Sequence, residues 1–534
     1  MDKVLYRLAN VAIAEDSIIY NSIMETDGLL VAALFAIIRG SWMAIALGVS
    51  YMIFNWLGPN GLRQVPTVGP SAPIFAYISG LRYTKNARKM LLEGYAKYAY
   101  TTGVYKVPMP DQWLVIVAGP KQIEELKRMS DDQVSNYGGI DELLAARYIL
   151  GADVVANPYH MPLVHAKLTR NLSDFHAIMK DEMWSAFSDH IGHSYEWTSV
   201  PALKTVMSII SRTSNRVFVG LPLCRDPEFL SISTNITLDI GQSRFLINLF
   251  PAFMKPFIAR LVNKVPARLH EAYSKIGSMV EARRQHAEEC KQNKEEWEDK
   301  PNDFLMWLID EGVKHGYTNE STVLYLLMME FVALHTAAMS FTHALYYLAA
   351  DPSLAAPMRQ EVDAVLEEEG GDLGSRTAVS KLRHIDSFLR ESQRLNGTNA
   401  TTVWRKTVKE ITFSSGITIP PGVFLSAAAT ATHLDDQHYP NANVFDPWRF
   451  VGSDNARSFA SMSADYIAFG QGRHACPGRH FAAYEMKLML AHIVLYYDVR
   501  FPEGSNIRPR NEWIGSSIIP DRDAHVLLRK RTEA

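Results

Sequence analysis

The stretch FGQGRHACPGRHFA, Phe469 to Ala482, sets a single cysteine, Cys476, between Gly472 and Gly478 just ahead of an apolar run. A thiolate is the metal-binding form of cysteine and needs nearby backbone N–H groups or positive charge to exist at neutral pH. Arg473 and His474 precede Cys476, and FAAYEMKLMLAHIVLYY after it has helical spacing, so a helix N-terminus would add its dipole. Glycines allow turns closed to other residues and let main chain approach a large planar ligand. One thiolate in such a loop suits an axial metal ligand; the plainer reading is an inert buried thiol in a tight turn.

Two further groups could carry chemistry. In SFLRESQRLNG, Glu391 and Arg394 stand three apart, which puts them on one face of a helix. In FVALHTAAMS, His335 and Thr336 lie within Ser321 to Ala350, a segment whose apolar residues cover nearly the whole helical circumference. Such a helix must be surrounded by other elements and is expected to run through the centre of a soluble body. A membrane span is the alternative, but Glu330, His335, Thr336, Ser340, Thr342 and His343 would be costly in lipid. Helical periodicity dominates from Ala87 onward, interrupted by short β-rich runs such as VYKVPMP, WLVIVAG, EITFSSGITIP and GVFLSAAA. The expected fold is mainly α with small β-sheets.

With these residues in hand, FGQGRHACPG resembles the haem-binding signature F-x-x-G-x-R-x-C-x-G of the cytochrome P-450 family, with Phe469, Gly472, Arg473, Cys476 and Gly478 read as its fixed positions. FDPWRF, Phe445 to Phe450, resembles the family's F-x-P-x-R-F segment. The resemblance implies the family fold, with the long central helix over a haem. It implies Cys476 as axial ligand, Arg473 and Arg405 of TTVWRKTV at the propionates, and Glu391, Arg394 and Arg449 as a buried structural triad. Thr336 takes the place of the threonine that assists oxygen activation, and His335 stands where the family usually has an acid, as either a proton relay or a packing residue. A further propionate contact on an earlier helix has three candidates, His160, His165 and Lys167. GSSIIP, Gly515 to Pro520, is expected to line the substrate pocket. From Val65 to the C-terminus the chain is similar to fungal members resembling ent-kaurene oxidase.

The resemblance implies a haem-thiolate monooxygenase inserting one oxygen atom from O2 into a lipophilic molecule, with a terpenoid of secondary metabolism as the expected class. Electrons would come from NADPH through a separate reductase, since no G-x-G-x-x-G follows a strand in this chain. An isomerase or dehydratase that does not use O2, and a haem-binding sensor, are the alternatives.

Bulk composition agrees. The 534 residues are 47% hydrophobic and 21% charged, and 54 basic against 57 acidic residues give a net charge of −3, which carries no nucleic-acid footprint. The three cysteines, Cys224, Cys290 and Cys476, are too scattered for a disulfide framework. Residues 29–57 carry one charge, Arg39, and are long enough to cross a bilayer. Lys3 and Arg7 precede them, whereas Arg63, Arg82, Lys85, Arg88 and Lys89 follow, so the body is expected to face the cytosol, anchored in the endoplasmic reticulum. The expected organisation is a lumenal tail at 1–28, an anchor at 29–57, a Pro/Gly linker at 58–75 and a catalytic domain at 76–534. The apolar FLINLFPAFMKPFIARLV, Phe245 to Val262, is broken by Pro251 and Pro256 into two pieces that either rest on membrane lipid or pack in the core.

Overall fold

A computed structural model describes residues 60–70, 73–250, 252–452, 457–502 and 505–532. The expected tail and membrane anchor lie outside the described residues.

The centre is α8, Asn319–Ala350; ten named helices are α1 (Pro73–Tyr98), α2 (Leu172–His190), α3 (Ala202–Phe218), α4 (Pro227–Ile247), α5 (Lys255–Val262), α6 (Val265–Asn293), α7 (Phe304–His315), α8, α9 (Arg383–Leu395) and α10 (Arg479–Tyr496). Helix starts follow local chemistry. The Thr318 hydroxyl accepts from the Ser321 N–H at 3.1 Å, which is why α8 begins before the apolar run; Asp226 caps α4 ahead of Pro227, and Asp303 caps α7. Helices α3, α4, α6, α7 and α9 all pack on α8. That enclosure explains an apolar circumference without lipid: α8 is long and apolar enough to cross a membrane, yet 56% of its most apolar window is buried inside the protein. Its polar residues find protein partners instead. Asn215 donates to Glu330 at 3.2 Å, the Thr342 hydroxyl donates to the Ala338 carbonyl, and His343 meets Arg508.

The main sheet has the order β1–β2–β5–β4–β3, with β1 Val104–Pro108, β2 Trp113–Val117, β3 Val134–Ser135, β4 Thr402–Thr407 and β5 Phe424–Ala427. Strand β2 pairs with β5 in parallel, Leu114 opposite Phe424, and the other pairs are antiparallel. A bulge between Thr402 and Arg405 interrupts β4, where Val403 adopts φ 56°. A β-branched residue in the left-handed region is strained, and bulges re-aim side chains next to functional sites. A hairpin of β6 (Glu512–Ile514) and β7 (Ser517–Ile519) lies against α1.

The expected linker is built into the fold. Asn60–Gln64 forms a 3-10 turn, Leu62, Val65 and Val68 are buried, and Lys106 of β1 donates to the Pro66 carbonyl and accepts from the Val68 N–H. The boundary expected after residue 75 falls inside α1. Apolar residues among its prolines and glycines have a sheet edge to cover, which composition alone does not reveal. Pro256 sits in the first turn of α5, where a missing N–H costs nothing, and Phe253 and Phe257 are exposed.

Candidate active site

Cys476 stands three residues before α10, whose N-cap residue Gly478 has no capping side chain. The first N–H groups of this helix are therefore available to another acceptor. Enclosure by protein pushes the Cys476 thiol up, while the N–H groups of Gly478 and Arg479 and the Arg479 charge pull it down. The same cysteine is nevertheless exposed to water. Both hold for a side chain that lines an internal hollow rather than the outer surface. The loop is shaped by backbone bonds from Cys476 N to Phe469 O at 2.8 Å and from Gly470 N to Ile467 O at 3.0 Å. Gly472 needs its left-handed φ of 69°, and a Cβ there would come within 3.1 Å of the Lys127 carbonyl oxygen. Gly478 differs: its φ of −82° is ordinary, and a Cβ added to it would meet nothing within 4 Å. What glycine leaves at 478 is open space beside the thiol, the clearance a flat ligand needs. Phe469 packs edge-on against Phe459.

Basic groups gather around this loop. The signature's basic position lies two residues before the cysteine, where this chain has His474, and Arg473, expected at that position, is its neighbour. The structure separates the two. Arg473 is half-exposed, donates to the Met129 carbonyl at 2.8 Å and lies 3.5 Å from Asp131. His474 is more enclosed, meets Asp131 at 2.6 Å and sets its ring against Tyr137. Arg405, 4% exposed, is aimed from beside the β4 bulge at Asn136, to whose side-chain oxygen it donates at 2.6 Å. Burial pushes its guanidinium down to about 10, with Asp131 opposing and Arg473 adding to the shift. Its hydrogen-bond partners, Asn136 and the Trp404 carbonyl, are both neutral, and it has no ion pair among the described residues. A buried cation without a counter-charge fits an anionic group on the ligand. Of the three earlier-helix candidates, His165 belongs here: burial lowers its pKa, and the charges of Arg479 and His474 lower it further. A π turn, Val164–Leu168, carries it. Lys167 lies over the Trp307 ring, and His160 is buried against Tyr325.

The triad forms. Arg394 donates to both oxygens of Glu391 at 2.7 Å, and Arg449 donates to the same carboxylate at 3.1 Å. Both Glu391 and Arg394 are fully buried. The link from triad to cysteine loop runs through a residue the sequence did not single out, His433. Its carbonyl accepts from Arg394, and its Nε2 accepts from the Ile467 N–H at 3.0 Å, while the Thr402 hydroxyl donates to the Ile467 carbonyl. Burial, then the charges of Arg394 and Arg390, pushes His433 down to about 3, so the ring is neutral with its proton on Nδ1. His433, at the end of the helix Ala429–His433, and His474, in the cysteine loop, thus differ in their partners.

On α8, Val332 and Thr336 are exposed within Ser321–Ala350, a stretch otherwise enclosed by its neighbours, so they too line internal space. The Thr336 hydroxyl donates to the Val332 carbonyl at 2.8 Å. His335 points elsewhere: its Nε2 meets the Thr234 carbonyl of α4 at 2.9 Å, a bond that requires the proton on Nε2. Segment 515–520 pairs with 398–400, Ala400 N donating to Ser516 O at 2.7 Å and Ile518 N to Thr398 O at 3.0 Å, immediately before β4 and Arg405. Two buried acids complete the surroundings. Glu330 of α8 faces Asn215 and Glu485 of α10 faces Ser214, and burial pushes each up to about 8. The Glu330 Oε1 and Asn215 Oδ1 atoms both lack a donor, a shortage that a proton on Glu330 resolves.

A helical fold around one buried central helix, with an exposed-yet-enclosed thiol, open space at Gly478 and an unpaired buried guanidinium, defines a haem-thiolate type of protein. The Cytochrome P450 family model matches residues 66–527, and the chain belongs to that family. It is 40% identical to cytochrome P450 monooxygenase 103 of Postia placenta, over 92% of this chain and 98% of the relative. It is 31% identical to cytochrome P450 monooxygenase CYP512U6 of Ganoderma lucidum, over 92% and 96%, and 31% identical to cytochrome P450 monooxygenase paxQ of Penicillium paxilli, over 93% and 98%. The chain is a monooxygenase of this family.

Proposed function

We propose that this protein inserts one oxygen atom into a lipophilic, terpenoid-class molecule, with two electrons drawn from NADPH through a separate reductase and the second oxygen atom leaving as water. The observation that carries the proposal is the Cys476 thiol at the uncapped N-terminus of α10, opening onto internal space. Haem bound there supplies reductive O2 activation, with thiolate electron density favouring O–O cleavage. The Gly478 and Arg479 N–H groups hold the sulfur as thiolate. Arg405, His474 and His165 hold the anionic edge of the ring, Arg473 lies one layer outside them, and Phe469, Gly472 and Gly478 shape the loop. The triad of Glu391, Arg394 and Arg449 keeps the loop in place through His433.

On the opposite wall, Thr336 moves protons. Its Oγ1 now donates to the Val332 carbonyl, and a threonine on a helix has a second accessible rotamer that turns the hydroxyl outward. His335, held by Thr234, keeps α4 on α8 and acts as a positioning residue rather than a relay. Val332 and Ala333 present apolar surface that excludes water. Residues 29–57 anchor the body to the endoplasmic reticulum membrane, facing the cytosol.

The test is the spectrum of the reduced, carbon monoxide-bound protein. A red-shifted Soret band that Cys476→Ser abolishes is expected, together with oxygenated product from a terpenoid panel only when NADPH and a reductase are present. A protein that takes up no haem sinks the reading, and turnover without NADPH transfers it to the isomerase class.

A further inference from the structure

The Arg405 guanidinium is committed on one side only. Its two hydrogen bonds, to the Asn136 side-chain oxygen at 2.6 Å and to the Trp404 carbonyl at 2.8 Å, both leave from Nη1. Nε and Nη2 bond nothing among the described residues and are not among the polar atoms sealed from water, so they face the hollow. Nε and Nη2 form the edge of a guanidinium that carries two parallel N–H bonds, the pair that matches both oxygens of a carboxylate. Clamping Nη1 therefore leaves the bidentate edge free. The clamp is built into the fold. Asn136 opens the helix Asn136–Leu144, whose N-cap Ser135 accepts from the Gly138 N–H at 2.9 Å. Gly139 seats this helix on the bulged strand β4: a Cβ there would lie 2.5 Å from the Arg405 nitrogen and from the Trp404 carbonyl carbon, so the two backbones touch. Farther along the helix, Glu142 pairs with Lys406 and accepts from Gln112 at 3.1 Å. Asn136 and Arg405 are thus held in one fixed relation.

The neutrality of Asn136 is the informative feature. The first turn of a helix favours a carboxylate through its dipole, and a buried guanidinium favours one as partner. On both counts aspartate would suit the protein without a ligand better than asparagine does. The carboxylates of this region are engaged elsewhere. Asp131, whose charge acts on Arg405, is exposed and meets His474 at 2.6 Å, and Glu142 holds Lys406. The amide orients the guanidinium without neutralising it. We propose that Asn136 is a positioning residue for haem binding, whose side-chain oxygen fixes the plane of Arg405 so that Nε and Nη2 present a parallel, uncompensated pair of donors to the anionic edge of the ring. This deepens the haem-thiolate reading and rests on it.

Haem transfer from the loaded full-length protein to excess apomyoglobin, followed in the Soret region, tests this. Asn136→Ala is expected to speed haem loss about ten-fold, the size of one hydrogen bond to a charged group, while protein still loaded keeps the red-shifted carbon monoxide band. Asn136→Asp, nearly the same shape, speeds it at least as much, because the new carboxylate takes the charge that asparagine leaves for the ligand. Arg405→Gln alone also speeds loss, and adding Asn136→Ala to it changes the rate by less than about two-fold, since the amide acts through the guanidinium. Arg405→Lys, which has no fork to orient, takes its place in that comparison if the glutamine variant loads no haem. A side chain that merely packs would have the same effect in both backgrounds. The proposal is overturned if Asn136→Ala or Asn136→Asp retains haem like the parent, or if the alanine effect survives undiminished in the Arg405 variant. With the red-shifted band present in the parent, those outcomes leave the haem-thiolate reading intact and remove only the role of Asn136. A parent that takes up no haem removes both.

Discussion

On the cysteine side of the cavity, Glu391 accepts from Arg394, Arg449 and the Asp446 N–H, and Arg394 spends its remaining donors on the His433 and Ala442 carbonyls. Between α3 and α8, Glu330 Oε1 and Asn215 Oδ1 are buried without such partners. Both regions remove charge and polarity from water, at a cost that only pairing or protonation offsets. Where every donor and acceptor is matched inside the protein, nothing is left to bind a ligand, and the arrangement serves as scaffold. Where a buried group is short of a partner, protonation or a ligand makes up the difference. Arg405 belongs with the second group although it sits beside the first, which is the difference between a structural arginine and one waiting for an anion.

The comparison can be broken at several points. Cys476→Ala is expected to have the largest effect, reducing oxygenation to background and abolishing the red-shifted Soret band, with a far-UV circular dichroism spectrum like that of the parent. Next is the matched network. Arg394→Met leaves the fully buried Glu391 short of its bidentate partner and should cost about 3–5 kcal/mol, read as a fall in denaturation midpoint or loss of soluble protein. His433→Phe keeps the ring but removes the Ile467 acceptor; a loss of about 1–3 kcal/mol, together with partial haem loss on gel filtration, would show that the triad acts on the loop through this residue.

Smaller effects sharpen the other wall. Thr336→Ala deletes a hydroxyl that bonds only its own helix, so stability should change by less than about 1 kcal/mol while product formed per NADPH consumed drops. A structural role would show the reverse, lost stability with coupling intact. The smallest effect is in pH dependence. Glu330 and Glu485 have folded pKa values raised to about 8 from an ordinary 4.5. Their stability contribution is fully present below about pH 4.5 and is lost as pH rises through about 8. Glu330→Gln stays neutral throughout, so its Tm should decline less than the parent's between pH 5.5 and 8.5. Parallel declines would mean that Glu330 is ionised in the folded protein.

The central helix, the short strands and the cysteine loop were legible because each leaves a local pattern: a run too apolar to face water, alternation, glycines around a thiol. The triad was legible only through resemblance, since Glu391 and Arg394 three apart describe many surface helices. His433 and the Glu330–Asn215 pair left no pattern, because each depends on partners 34 to 115 positions away along the chain. Arg473 and His474 show the limit at closest range. The signature's own spacing assigns the basic position to His474, but it took packing to show which of two adjacent basic residues is turned inward.

By itself the sequence determined that this chain is a P450 monooxygenase with Cys476 in its signature loop, because that identity resides in short motifs whose order along the chain is their meaning. Only the tertiary structure decided which buried charges are paired and which are left facing the hollow. Desolvation depends on what surrounds a group in space, and neither the residue's type nor its sequence neighbours carry that information.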